Sequence, residues 1–174
     1  VAAPRILTVT GRKSVGKTTL VAALLGEYRR RGLRVGTLKH GHHLTTDREG
    51  SDTWRHFVEG KAERTLVTGP DHRVLWERAA DDYDPTALAR RYMADLDLVL
   101  CEGWKRSALP KVEVWRKGIA DAGPLCLEAP DERWIAVVTD DYTLDVPVRT
   151  LRFSDTMWLQ ALASLTLERA APLE

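Results

Sequence analysis

The chain has 174 residues, 44% of them hydrophobic, with 26 Lys and Arg against 25 Asp and Glu and a formal charge of +1. That length can bury a core without metal or disulfide staples, and the near-neutral balance argues against a general nucleic-acid binder. Cys101 and Cys126 form no CxxC pair, no apolar run approaches a membrane span, and no signal-peptide pattern opens the chain; the expectation is a cytoplasmic protein with one domain over residues 1–174 and no membrane partner.

Residues 5–10 (RILTVT) are rich in β-branched side chains and predict a short buried strand. A polar, glycine-bounded loop follows over 11–18. Leu20, Leu24, Leu25 and Tyr28 recur at helical spacing and predict a helix over 18–31. Arg29, Arg30 and Arg31 fall in its last turn, where cations complement the helix dipole, and Gly32 can take the left-handed position after it. Residues 34–39 (RVGTLK) predict a second strand, 40–51 a loop rich in histidine and charge, and 52–59 a short helix.

The runs 65–68 and 73–77 flank Gly69-Pro70-Asp71-His72 and predict a β-hairpin. Asp84 is placed to cap a helix over 85–93 that begins with Pro85. The wholly apolar LVLC at 98–101 predicts a strand inside a parallel sheet. Residues 111–115 and 135–139 predict further strands, the first an exposed edge. The Gly-, Pro- and acid-rich stretch 118–131 predicts a surface loop, and 155–168 a closing helix with Trp158, Leu162 and Leu165 on one face. Strands alternating with helices imply an α/β fold with a mostly parallel sheet, helices on both faces and a β-hairpin insertion.

Gly11-Arg12-Lys13-Ser14-Val15-Gly16-Lys17-Thr18 matches GxxxxGK[ST] in full, between an apolar strand and an amphipathic helix. The glycines let the backbone fold tightly, so that several N–H groups face inward at phosphates. The helix beginning near Lys17 turns its positive end to them. Lys17 is expected to reach the β- and γ-phosphates and the Thr18 hydroxyl to ligate Mg²⁺. This motif makes the fold a three-layer P-loop NTPase fold and the ligand a nucleoside triphosphate. Lys13 is expected to face solvent or the phosphates. Arg12 can do the same or reach the site of a partner across a dimer interface.

Ligands of open α/β sheets sit beyond the carboxyl ends of the strands. Asp97 precedes and Glu102 follows the strand 98–101, about 16 Å apart at roughly 3.3 Å per residue. Glu102 is thus the candidate Walker-B-type acid for magnesium or its water, and Asp97 a strand-start residue. Lys39 and His40 end the second strand and face the same site, with His42 and His43 close behind. Three histidines in four positions suit either a metal or an anionic substrate, although the spacing matches no standard zinc pattern. Asp140, after the strand 135–139, could accept hydrogen bonds from guanine, or serve as a turn acid; the fuller NKxD signature is missing.

These motifs together resemble the MobB family of molybdopterin-guanine dinucleotide biosynthesis adapter proteins. The matching residues are the P-loop followed by Thr19, then Lys39-His40-Gly41-His42-His43, Asp47 and Gly50-Ser51-Asp52. Glu102-Gly103-Trp104-Lys105 resembles the family's EGFK, and Pro110-Lys111-Val112-Glu113-Val114-Trp115-Arg116 its PKIEVxR. The resemblance covers roughly residues 6 to 140. Ser51 stands where the family usually has lysine, and Arg12-Lys13-Ser14 replaces a more glycine- and serine-rich loop. The resemblance implies a GTP-binding homodimer with weak GTP hydrolysis. It also implies partnership with a MobA-like molybdopterin guanylyltransferase, with molybdopterin a candidate ligand of the surface made by Lys39, His40, His42, His43 and Lys105. Two rivals stand beside it. One is a small-molecule kinase with Asp47 or His40 as base. The other is a metal-delivery GTPase using His40, His42 and His43.

Overall fold

The computed structural model describes residues 3–41, 44–79, 84–119 and 122–173. In chain order the elements are β1 (Arg5–Thr10), α1 (Lys17–Arg30), β2 (Val35–Lys39), α2 (Asp52–Trp54) running into a π-helical turn (Arg55–Glu59), β3 (Arg64–Thr68) and β4 (Arg73–Glu77). Then follow α3 (Pro85–Tyr92), β5 (Leu98–Glu102), β6 (Lys111–Trp115), α4 (Leu125–Glu128), β7 (Trp134–Thr139), β8 (Arg149–Arg152), α5 (Trp158–Arg169) and β9 (Ala171–Pro172). They form two compact units, one of residues 1–40 and 84–174, the other of residues 41–83.

The larger unit is built on a seven-stranded sheet in the order β2-β5-β1-β6-β7-β8, with every neighbouring pair parallel. The seventh strand, β9, runs antiparallel to the start of β1, pairing Arg5 with Pro172 and Ile6 with Ala171. Alternating side chains go to opposite faces, as the strand period of two requires. Leu7, Val9, Leu98 and Leu100 pack with Leu20, Leu24 and Tyr28 of α1 and Leu162 and Ala163 of α5. Ile6, Val99 and Cys101 pack with Ala89 of α3 on the other face. This is the expected three-layer arrangement.

The helix ends follow local chemistry. Asp84 caps α3 by accepting from the N–H groups of Thr86 and Ala87 at 3.1 and 3.3 Å. Arg30 and Arg31 of the arginine run both donate to the buried Glu27 carboxylate. Tyr28 shares a 2.5 Å hydrogen bond with the Thr166 hydroxyl between α1 and α5, and burial pushes its phenol up to about 12. The Arg5 guanidinium donates to the carbonyls of Leu167, Glu168 and Ala170 at 3.0–3.2 Å, satisfying the end of α5.

In the smaller unit β3 and β4 form the expected hairpin, with Thr65 opposite Trp76 and Val67 opposite Val74. Arg78 lies over the Phe57 ring, 4.8 Å from its centroid, and donates to the Phe57 and Ala62 carbonyls. The predicted helix over 52–59 is split, its second half widening into the π-helical turn.

Several expectations are corrected. The strand Lys111–Trp115 is no edge: it lies between β1 and β7 and all its residues are buried. Its alternating Lys111 and Glu113 suggest a solvated face, yet both are paired inside. The Lys111 ammonium donates to the Leu109 carbonyl and lies over the Trp134 ring. The stretch 118–131 is not wholly surface loop, because Cys126 in α4 is buried against Trp115, Trp134 and Val137. Strands β8 and β9 went unpredicted, and α5 begins at Trp158, after a left-handed Met157, rather than at 155.

Glu113 is fully buried and its carboxylate accepts from the N–H groups of Leu125 (2.7 Å) and Cys126 (3.0 Å), fastening α4 to β6. Burial pushes this carboxyl up, against the pull of the two N–H groups. In Glu113→Gln one oxygen becomes an NH₂ facing a backbone N–H, so a bond is lost and two donors oppose each other. The expected cost is about 1–3 kcal/mol of stability. Urea denaturation measures it, and an unchanged midpoint contradicts this role for Glu113.

Candidate functional site

The loop after β1 turns because of its glycines. Gly11 has φ 140°, and a Cβ built there would lie 2.4 Å from the Val114 carbonyl oxygen. Only glycine lets the loop pass so close to β6. Gly16, with φ 101°, is the left-handed N-cap of α1, and its carbonyl accepts from the Leu20 N–H. Val15 is buried beneath the loop, whereas Lys13, Ser14, Thr18 and Thr19 are exposed.

Strand register brings the remaining groups to this loop. Glu102 is the partner of Val9 in β1 on one side and of Lys39 in β2 on the other. The Thr18 hydroxyl donates to Glu102 Oε1 at 2.8 Å, and Lys39 Nζ lies 3.3 Å from that oxygen and 3.5 Å from Thr18 Oγ1. Lys17 Nζ donates to the Arg12 carbonyl at 2.6 Å. Burial lowers the Lys17 ammonium below its ordinary value; Glu102 opposes this and Lys39 adds to it. A cavity of about 300 Å³ is lined by Lys13, Ser14, Gly16, Lys17, Thr18 and Glu102. Lysines and a helix start around one carboxylate suit a phosphate chain accompanied by a hard cation.

Other candidates are placed around this centre. Asp97 is at the opposite end of the sheet, where it accepts from the Arg34 N–H at 2.7 Å. The His40 N–H donates to the Glu102 carbonyl, and the His40 ring lies 5.4 Å from that of Trp104. Gly103 and Trp104 both have positive φ, turning the chain sharply after β5, and Lys105 beyond them is exposed. Arg12 is held within the chain, by an ion pair with Glu128 of α4 and by the Gly123 carbonyl. Asp140 follows β7 and accepts from the Lys117 N–H at 3.1 Å. Its neighbour Asp141 is the buried acid, held below the usual carboxylate range chiefly by the Thr143 hydroxyl. Asp47 belongs to the smaller unit, where it accepts from the Thr53 hydroxyl and the Arg48 N–H. His42 and His43 lie outside the described residues.

Arg116 and Phe153 were not singled out as site residues. Arg116 follows β6, its guanidinium lying over the Phe153 ring at 4.5 Å and its Nη1 3.9 Å from Asp140. The signal was the arginine that ends the stretch resembling PKIEVxR, a cation at the carboxyl end of a strand whose place beside the P-loop shows only once β6 is known to lie beside β1.

Comparison with known proteins places the chain in a family. A family model described as molybdopterin guanine dinucleotide synthesis protein B matches residues 6–140. The molybdopterin-guanine dinucleotide biosynthesis adapter protein of Haemophilus influenzae is 34% identical over 148 residues, 84% of this chain and 79% of that one. Its Escherichia coli counterpart is 30% identical over 167 residues, 94% and 91% of the two chains. The crystal structure of a molybdopterin-guanine biosynthesis protein B superposes with a TM-score of 0.70 over 94% of this chain and 97% of that one, at 23% identity. Bacillus subtilis MobB superposes with a TM-score of 0.68 at 25% identity, over 92% and 97%. A family model over residues 6–140 and relatives of 30–34% identity along most of the chain leave one conclusion, that the chain belongs to the MobB family.

Proposed function

We propose that this chain is a cytoplasmic GTP-binding adapter in the synthesis of molybdopterin guanine dinucleotide, assisting a MobA-like guanylyltransferase that attaches GMP to molybdopterin. The observation that carries this is the cluster of Lys17, Thr18, Lys39 and Glu102 at the P-loop of a MobB family member. Among the described residues no helix is long and apolar enough to cross a membrane.

The donor set fits magnesium. Thr18 Oγ1 and Glu102 Oε1 are hard oxygen donors 2.8 Å apart, close to the roughly 3 Å between neighbouring ligands in an octahedron with bonds of about 2.1 Å. Mg²⁺ held there would neutralise phosphate charge. Lys17 would leave the Arg12 carbonyl for the β- and γ-phosphates, and Lys39 would add charge at the same end. A P-loop wraps the α- and β-phosphates in backbone N–H groups, which hinders in-line attack at the α-phosphorus. The chain is better built to hold GTP, or to hydrolyse it slowly, than to transfer GMP. The exposed Lys105 and the His40–Trp104 ring pair suit a flat phosphorylated ligand such as molybdopterin beside the nucleotide.

Titration with magnesium-GTP and magnesium-ATP tests the site. GTP should bind more tightly, and Asp140→Ala should narrow the preference. Lys17→Ala should lose at least tenfold in affinity, as removal of a charge-assisted phosphate contact implies. Unchanged GTP affinity in Lys17→Ala defeats the phosphate assignment, and equal affinity for the two nucleotides defeats the preference.

The hairpin β3–β4 exposes Leu66 (59%), Leu75 (42%) and Val74 (39%), and a two-stranded hairpin is marginal unless covered. This supports a homodimer. Sedimentation at tens of micromolar should give twice the chain mass; a pure monomer refutes it.

The decisive assay mixes the protein, magnesium-GTP and molybdenum-loaded molybdopterin with and without the guanylyltransferase. The expected result is a raised dinucleotide yield with the partner and none without it. Dinucleotide made by this chain alone overturns the adapter role, as does the lack of both stimulation and association.

A further inference from the structure

Arg116 stands at the switch point of the sheet. From β1 the chain crosses to β2 on one side, and β6 lies on the other. Ligands of parallel sheets enter where the direction of crossing reverses, between the carboxyl ends of the two strands concerned. The loop after β1 is the P-loop, and the first residue after β6 is Arg116.

Its guanidinium is held on purpose-built surroundings. One face lies over Phe153, which is itself fixed edge-on against Trp158 at 5.2 Å and by its N–H to the Thr139 carbonyl. The nearest atoms to a Cβ built on Gly16 would be Nη2 at 3.8 Å and Nε at 3.9 Å of Arg116. The edge carrying both nitrogens therefore faces the P-loop. That edge is the two-donor fork that matches a pair of phosphate oxygens. Nε is buried and has no hydrogen-bond partner among the described residues. A buried donor without an acceptor is costly, so its place beside a phosphate-binding loop calls for a ligand oxygen. Asp140, at 3.9 Å from Nη1, engages the opposite side of the group and leaves the fork open.

We propose that Arg116 is a nucleotide ligand whose Nε–Nη2 fork binds the α- and β-phosphate oxygens of the nucleoside phosphate held by residues 11–18. This rests on the nucleotide site proposed above. Glu102 and Lys39 approach from the β5 side of β1, towards the cation and the γ-phosphate. Arg116 approaches from the β6 side, over Gly16, and grips the part of the ligand that GTP and GDP share. The same contact clamps β8, through Phe153, to the occupied loop.

Titration of GTP and GDP into wild type, Arg116→Ala and Arg116→Lys tests this, with melting in the absence of nucleotide as the check on folding. Arg116→Ala should lose about tenfold or more in affinity for GTP and GDP alike. Arg116→Lys keeps the charge and much of the stem but not the fork, and should recover little of that loss. It also serves if the alanine variant fails to fold. Phe153→Leu should lower both affinities by a smaller factor. Wild-type affinity in a folded Arg116 variant overturns the proposal, and so does a loss confined to GTP, which moves the contact to the γ-phosphate. If wild type itself binds neither nucleotide, the P-loop assignment falls and Arg116 falls with it.

Discussion

The site depends on how closely the loop after β1 passes over β6. With the Val114 carbonyl 2.4 Å from where a Gly11 side chain would begin, no other residue can occupy that turn without pushing two central strands apart. The close passage brings the phosphate-binding loop down onto the sheet at its switch point. Strand register then does the rest: Glu102 arrives from β5 and Lys39 from β2, both level with Val9, and Arg116 from β6, which runs past the end of β1.

The second constraint is that β6 is buried on both faces while carrying two ionisable residues. Glu113 resolves this by binding the N–H groups at the start of α4, so that a surface-like excursion of the chain becomes part of the core. Glu128 at the other end of α4 holds Arg12 of the P-loop. A buried carboxylate in a central strand thus supports, through one short helix, the position of the P-loop.

What was legible in the sequence shares one property: its signal is local. The strand β1, the P-loop and α1 are adjacent in sequence and explain one another, and Asp84 announces α3 by a cap that lies entirely within three residues. The hairpin is marked by its own turn. What was missed depends on partners far away. The RTLR of β8 has no apolar run; it is a strand because β7 offers it an edge. The alternating KVEVW resembles a half-solvated strand, and only α4 and Trp134 show that its polar members are satisfied inside. Lys17, Thr18 and Glu102 are expected together from their residue types and the P-loop motif, and they line one cavity. Arg116 stands in the sequence only as the end of the stretch resembling PKIEVxR, and the role proposed for it follows from which strand lies next to which.

The antiparallel pairing of β9 with β1 has a consequence for biosynthesis. Arg5 binds the Ala170 carbonyl across 165 positions, and Leu173 donates its N–H to the Pro4 carbonyl at 2.7 Å. The strand that leads into the P-loop is translated early but finished late. At ribosomal speeds of about 5–20 residues per second, its first residues wait roughly 8–33 seconds for the segment that covers them. During that interval the nascent chain carries a central strand whose first residues, Arg5 and Ile6, lack their antiparallel partner.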